Sequence, residues 1–102
     1  METRPQISFI IVNYNSRKFL ENCVSSIKRN AASFSYEVII ANNDTAVLNL
    51  PEVKILNIKN NSGFGAGCNA GAKISQGESL CFLNPDTEIL NDIKKIVEYF
   101  NI

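Results

Sequence analysis

Two stretches of this 102-residue chain hold residue types that can do chemistry. The first, Asn60-Asn61-Ser62-Gly63-Phe64-Gly65-Ala66-Gly67-Cys68-Asn69-Ala70-Gly71, gathers four of the five glycines within nine residues. The second is the apolar Ser79-Leu80-Cys81-Phe82-Leu83, which runs into Asn84-Pro85-Asp86-Thr87. Glycine lets backbone approach a ligand closely, and a carboxylate at the carboxyl end of a strand can hold a metal or a ribose. Together they imply a nucleotide or diphosphate site. One carboxylate, Asp86, suffices for Mg²⁺ or Mn²⁺, which take remaining oxygens from phosphate and act on a leaving diphosphate as Lewis acids. On turn chemistry alone, Asn84-Pro85-Asp86-Thr87 is equally a turn that ends a strand.

Other chemistries are weighed by the same residues. Gly65-Ala66-Gly67-Cys68-Asn69-Ala70 matches the G-x-G-x-x-[G/A] pattern of dinucleotide sites, and Asp86 follows Gly67 by nineteen residues. That fingerprint needs its first glycine directly after a strand, whereas Lys59 to Phe64 intervene here, so a Rossmann-like dinucleotide module stays an alternative. No glycine run precedes Lys-Ser or Lys-Thr, which argues against a P-loop. Histidine is absent, which removes Ser-His-Asp and Cys-His catalysis and His-ligated zinc. Cys23, Cys68 and Cys81 show no CxxC spacing. Cys23 and Cys81 lie in apolar patterns and read as buried thiols of a reducing compartment.

Formal net charge is zero, so there is no electrostatic footprint for nucleic acid and no polybasic membrane patch. Lys28 and Arg29 read as helix-end cations. With 45% hydrophobic and 20% charged residues, residues 1–102 read as one soluble domain able to bury a core without staples. The apolar run Ile7 to Val12 is too short for a signal-peptide core or a membrane span. A cytoplasmic protein is expected, with contact to the inner membrane face left open.

The elements that position these groups follow from periodicity. Ile7–Val12, Glu37–Ala41, Val53–Ile58 and Leu80–Leu83 read as strands. Leu20, Cys23, Val24 and Ile27 form one stripe of a helix over about Arg17–Arg29, with Ser16 at its N-cap. A short helix over about Ala66–Ser75 has the small residues of tight packing on a sheet. A last helix from about Asn91 carries Ile93, Ile96, Val97 and Phe100. Alternating strands and helices predict an α/β fold with a mainly parallel sheet and a ligand site beyond the strands' carboxyl ends. Asn13-Tyr14-Asn15, Asn42-Asn43-Asp44, the Asn60–Gly65 loop and Asn84-Pro85-Asp86 all fall there. Ending at Ile102, four strands read as half of a site. Their open edge is able to pair with a second copy or serve a non-catalytic interaction module.

The ordered segments Ile7–Asn15 (ISFIIVNYN), Glu37–Asp44 (EVIIANND), Asn60–Gly71 (NNSGFGAGCNAG) and Leu83–Thr87 (LNPDT) resemble the amino-terminal half of family 2 glycosyltransferases, over about residues 7 to 90. The resemblance implies a GT-A fold that binds a nucleoside-diphosphate sugar with Mn²⁺ or Mg²⁺. It also implies transfer of the sugar to an acceptor, a glycan or lipid-linked glycan of cell-surface polysaccharide synthesis. By position, it places Val12, Asn13 and Tyr14 beside base and ribose, largely through backbone. Asn42 stands where the family commonly has an acid contacting the nucleoside, with Asn43 and Asp44 next, which leaves base selectivity open. Asn61, Gly63, Phe64 and Gly65 match a loop under the nucleotide, and Asn69 a polar position on the following helix. Asp86 matches the last, metal-holding acid of the Asp-x-Asp signature.

Asn84 occupies the first acid's position in that signature. The Asn-Pro-Asp form resembles a rhamnosyltransferase-like branch, implying dTDP- or UDP-sugars. An inverting transfer needs a general base, which in the family follows the metal motif. No residue here is assigned that role. Glu88, Asp92 and Glu98 read as helix charges, and the chain is expected to be incomplete for catalysis.

Overall fold

The β-branched runs become strands and the 3-4 stripes become helices, in the order β1 (Ile7–Asn13), α1 (Arg17–Asn30), β2 (Tyr36–Asn42), β3 (Lys54–Asn57), α2 (Phe64–Ile74) and β4 (Ser79–Leu83). This computed structural model describes residues 4–45, 47–58, 63–90 and 92–94. The predicted last helix, Ile96, Val97 and Phe100 included, lies almost wholly outside the described residues. The four strands form one parallel sheet in the order β3-β2-β1-β4.

β1 is central, and all seven of its residues are buried because a helix covers each face. On one face Phe9 and Ile11 pack with Leu20, Cys23 and Ile27 of α1 and with Val38 and Ile40 of β2. On the other, α2 lies so close that a Cβ at Gly71 would stand 2.6 Å from Ile10 Cγ2, and one at Gly67 2.8 Å from Val12 Cγ1. The glycines at these two positions set the spacing between helix and sheet. β4 is an outer strand. Leu83 and Cys81 are half-buried on the α1 side, so Cys81 is less enclosed than its apolar neighbours imply. Leu80 and Phe82 face the other way, 42% and 47% exposed.

A polar staple closes the amino-terminal edge of the sheet. The Glu37 carboxylate accepts the Ser8 hydroxyl at 2.5 Å and the Gln76 N–H at 2.6 Å, and pairs with Lys54 Nζ at 2.8 Å. Ser8 Oγ in turn accepts the Gly77 N–H at 2.8 Å. Three strands and the turn before the fourth thus meet on one carboxylate. Lys28 and Arg29, at the end of α1, form exposed ion pairs with Glu52 and Glu88.

Candidate functional site

Both β1 and β2 run one residue past their apolar stretches. The reason is a pairing of side chains. Asn13 stands opposite Asn42, and Asn42 opposite Asn57, in strand register. Asn13 Nδ2 donates to Asn42 Oδ1 at 2.9 Å, and Asn42 Nδ2 donates to Asn57 Oδ1 at 3.0 Å. An amide carries both donor and acceptor, so it can pass a hydrogen bond along successive strands. Asn13 and Asn42 are 0% and 1% exposed. The backbone continues the ladder, with the Asn43 N–H donating to the Asn13 carbonyl and the Ile58 N–H to the Asn42 carbonyl.

This ladder aims the loops. Asn13 Oδ1 accepts the Ser16 N–H at 3.2 Å, anchoring the start of α1. Ser16 holds the N-cap position, but its hydroxyl donates to the Tyr14 carbonyl at 3.0 Å instead of capping the helix. The Asp44 carboxylate accepts the Asn15 N–H at 2.8 Å and Asn13 Nδ2 at 3.2 Å. It thereby folds the loop after β2 against the one after β1. Asn15 has a left-handed backbone (φ 54°), which asparagine tolerates better than most residues. Between these loops and α1 lies a cleft of about 580 Å³ lined by Asn15, Arg17, Lys18, Glu21, Asp44 and Thr45.

The glycine segment joins the same edge. Asn43, buried, donates through Nδ2 to the Gly63 carbonyl at 3.4 Å. Gly63 has φ 90° and ψ 176°, a conformation open to glycine alone, and α2 begins immediately after it at Phe64. The helix therefore starts two residues before the expected Ala66, and Gly65 and Gly67 lie inside it. A dinucleotide fingerprint needs those glycines in the turn that precedes the helix, so its geometry is not met. Phe64 is 54% exposed, Gly65 has open space above its Cα, and Asn69 is exposed. Asn61 lies outside the described residues.

On the other side of β1, the strand β4 delivers Asn84-Pro85-Asp86-Thr87. The Thr87 N–H donates to the Asn84 carbonyl at 3.0 Å, closing a turn around Pro85 and Asp86. Asn84 and Asp86 are exposed. Beneath the turn lies Cys23, whose Sγ is 3.9 Å from the Asn84 carbonyl. Burial first, then the Asp86 carboxylate, then Cys81 push the Cys23 thiol up to about 11.

Chain order supplies the last element of the geometry. β1 leads outward to β2 and β3, and the chain then returns to place β4 on β1's far side. The sheet's direction of growth thus reverses between β1 and β4, the kind of point at which open α/β sheets bind ligands. Tyr14, 52% exposed, follows β1, and the exposed Asp86 follows the neighbouring strand β4. Val12 sits beneath α2 with its side chain enclosed. Sequence reasoning did not include Asn57, Arg17 and Lys18 among the site residues, and it noted Asp44 only as a neighbour. The recurring asparagine at the end of successive strands was the available signal for Asn57.

The family model described as glycosyl transferase family 2 matches residues 8–102. The chain belongs to that family. The Bacillus subtilis (strain 168) protein EpsH, which carries a glycosyltransferase name, is 29% identical over 103 aligned residues. The match covers 90% of this chain and 29% of EpsH. The fold is also that of S. aureus TarS 1-349, with a TM-score of 0.77 at 22% identity over 94% of this chain and 32% of that one. TarS 1-349 in complex with UDP gives a TM-score of 0.74 at 19% identity, with the same coverage. The chain thus spans less than a third of the length of each of these relatives. Among the described residues, no helix is long and apolar enough to cross a membrane.

Proposed function

We propose that this family 2 glycosyltransferase chain binds the nucleoside-diphosphate sugar donor at the carboxyl ends of β1 and β4. The observation that carries the reading is the reversal of strand order at that point, with the exposed carboxylate of Asp86 just beyond β4. TarS, of the same fold, is known in complex with UDP, which supports a uridine or thymidine diphosphate here. Backbone of Val12 and Asn13, together with Tyr14, would line the nucleoside. Buried Asn42 and Asn43 would act by holding the loops, and Gly63, Phe64 and Gly65 would offer the close-approach surface, with Asn69 on the same helix; Asn61 is a further contact by sequence match alone. The Asn84-Pro85-Asp86 form favours a rhamnosyltransferase-like donor, and a glycan or lipid-linked glycan is the acceptor that suits the family.

Asp86 is the residue that would hold a divalent cation. Its donor set fits one kind of ion. The described residues contain no group of three or more His, Cys, Asp or Glu able to hold a metal; Asp86 would hold a cation together with oxygens of the diphosphate and water. Mg²⁺ and Mn²⁺ accept that arrangement. When bound, such an ion supplies neutralisation of the leaving diphosphate.

Calorimetric titration with UDP, dTDP and GDP, with and without Mn²⁺, tests the proposal. Metal-strengthened binding of UDP or dTDP that Asp86→Ala removes is expected; binding that ignores both Mn²⁺ and Asp86→Ala refutes the metal assignment. Response to NAD(P) without metal would instead favour the dinucleotide reading. The exposed Leu80 and Phe82 on outer strand β4 favour self-association as a further property, which light-scattering mass measurement decides. Action at the cytoplasmic face of the membrane agrees with a nucleotide-linked donor.

A further inference from the structure

After β4 the described chain from Asn84 to Leu90 contains neither helix nor strand. Beyond the turn closed by Thr87, its less exposed peptide groups need partners elsewhere in the fold. One side of α1 supplies them. Ser26, fully buried, donates its hydroxyl proton to the Cys23 carbonyl at 2.7 Å and accepts the Ile89 N–H at 2.9 Å. Asn30 Nδ2 donates to the Ile89 carbonyl at 2.6 Å and to the Ser26 carbonyl at 3.0 Å. The N–H and the C=O of Ile89 are thus both held by side chains one helical turn apart.

The contacts continue along the helix in chain order. Cys23 reaches the Asn84 carbonyl, Arg29 pairs with Glu88 at 3.2 Å, and the Ile93 N–H donates to the Asn30 carbonyl at 3.0 Å. Cys23, Ser26 and Asn30 are spaced by three and four residues, so they form one stripe of α1. Asp86 lies within the stretch that this stripe holds.

We propose that Ser26 and Asn30 are positioning residues for Asp86. By clamping Ile89 to α1 they fix the far end of the segment whose near end is β4, and so hold the turn that presents the carboxylate. The inference rests on the reading of Asp86 as the cation-holding group. The affinity of a site that relies on Asp86 depends on how firmly the turn carrying it is held. Any freedom in the turn is therefore lost on binding and weakens affinity.

The test titrates Mn²⁺ into the ¹⁵N-labelled chain in the presence of UDP, with paramagnetic broadening of the Asp86 and Thr87 amides as the readout. Saturable broadening that Asp86→Asn removes is expected of the parent. Ser26→Ala and Asn30→Ala are each expected to weaken the apparent Mn²⁺ affinity about tenfold, because a loosened turn must be ordered on binding. Faster hydrogen exchange at the Ile89 amide accompanies that loss, while β1 and β2 amides keep their protection. Ser26→Thr, which retains the hydroxyl, restores the parent affinity. Parent-like Mn²⁺ affinity in both alanine variants overturns the positioning role alone. Broadening that survives Asp86→Asn, or none in the parent, overturns the metal reading itself. Asn30, half-buried near the helix end, keeps the test decisive should Ser26→Ala fail to fold.

Discussion

Asn13 Nδ2 donates to Asn42 Oδ1 over 2.9 Å, joining the last residues of two neighbouring parallel strands in a water-excluded site. Parallel strands end together at the edge where ligands bind, so whatever fixes those ends also fixes the loops that leave them. Here a row of neutral amides does so, and Asp44 extends it into the loop after β2.

Breaking that row is expected to cost stability. Asn42→Ala removes the acceptor of Asn13 and the donor to Asn57, and should destabilise the fold by about 1–3 kcal/mol, the range for stranding buried polar groups. Urea denaturation measures it. Asn42→Asp keeps the acceptor but sets a second oxygen against Asn57 Oδ1, so at neutral pH it should recover only part of the loss.

Two glycines of α2 should respond to alanine in opposite ways. Gly71→Ala drives a methyl to within 2.6 Å of Ile10 Cγ2 and is expected to cost about 1–3 kcal/mol by overpacking. Gly65→Ala meets nothing within 4 Å and restricts the unfolded chain, with an expected gain of about 0.4–1 kcal/mol. Thermal midpoints of the two variants, compared with the parent, decide the matter.

Acid should attack the staple at the amino-terminal edge. Burial alone would raise the Glu37 carboxyl, but Lys54, the Ser8 hydroxyl and the Gln76 N–H together hold it below its ordinary 4.5. The unfolded chain therefore takes up this proton first. The stability contributed by the staple is present above about pH 4.5 and is lost as pH falls through the lower, folded value. Urea midpoints between neutral pH and pH 3 should fall less steeply for Glu37→Gln than for the parent.

The thiol beneath Asp86 should be inert near neutral pH. Thiolate is the reactive form, and Cys23, pushed up to about 11, stays protonated. Alkylation followed by peptide mass mapping is expected to spare Cys23 in the folded protein and to label it in urea. Because its folded pKa lies above the ordinary 9.0, the unfolded chain ionises first, so stability should decline as pH rises from 9.0 towards 11.

Much of the architecture was legible because it is written in local periodicity. Apolar runs, the 3-4 stripe of α1 and the small residues of α2 predicted all four strands and both described helices, with ends within two residues. Small residues in α2 announced its close approach to β1. The limits of that reading fall where partners are distant in sequence. Strands β1 and β2 extend to Asn13 and Asn42 because register pairs them, and α2 begins at Phe64 because Gly63 adopts a conformation that other residues avoid. Ser26 and Asn30 carry no local mark of the bonds they make to Ile89.

By itself the sequence determined the α/β class, the gathering of polar clusters at the strands' carboxyl ends and the family resemblance. Each depends on residue type and short spacing. Only the tertiary structure decided the order β3-β2-β1-β4, which brings the strand before Asp86 beside the one before Tyr14, and the bonds from α1 that clamp Ile89. Those bonds join residues about sixty positions apart. Hydrogen bonds at such range have no local signature, because which donor meets which acceptor is settled only when helix and sheet pack together.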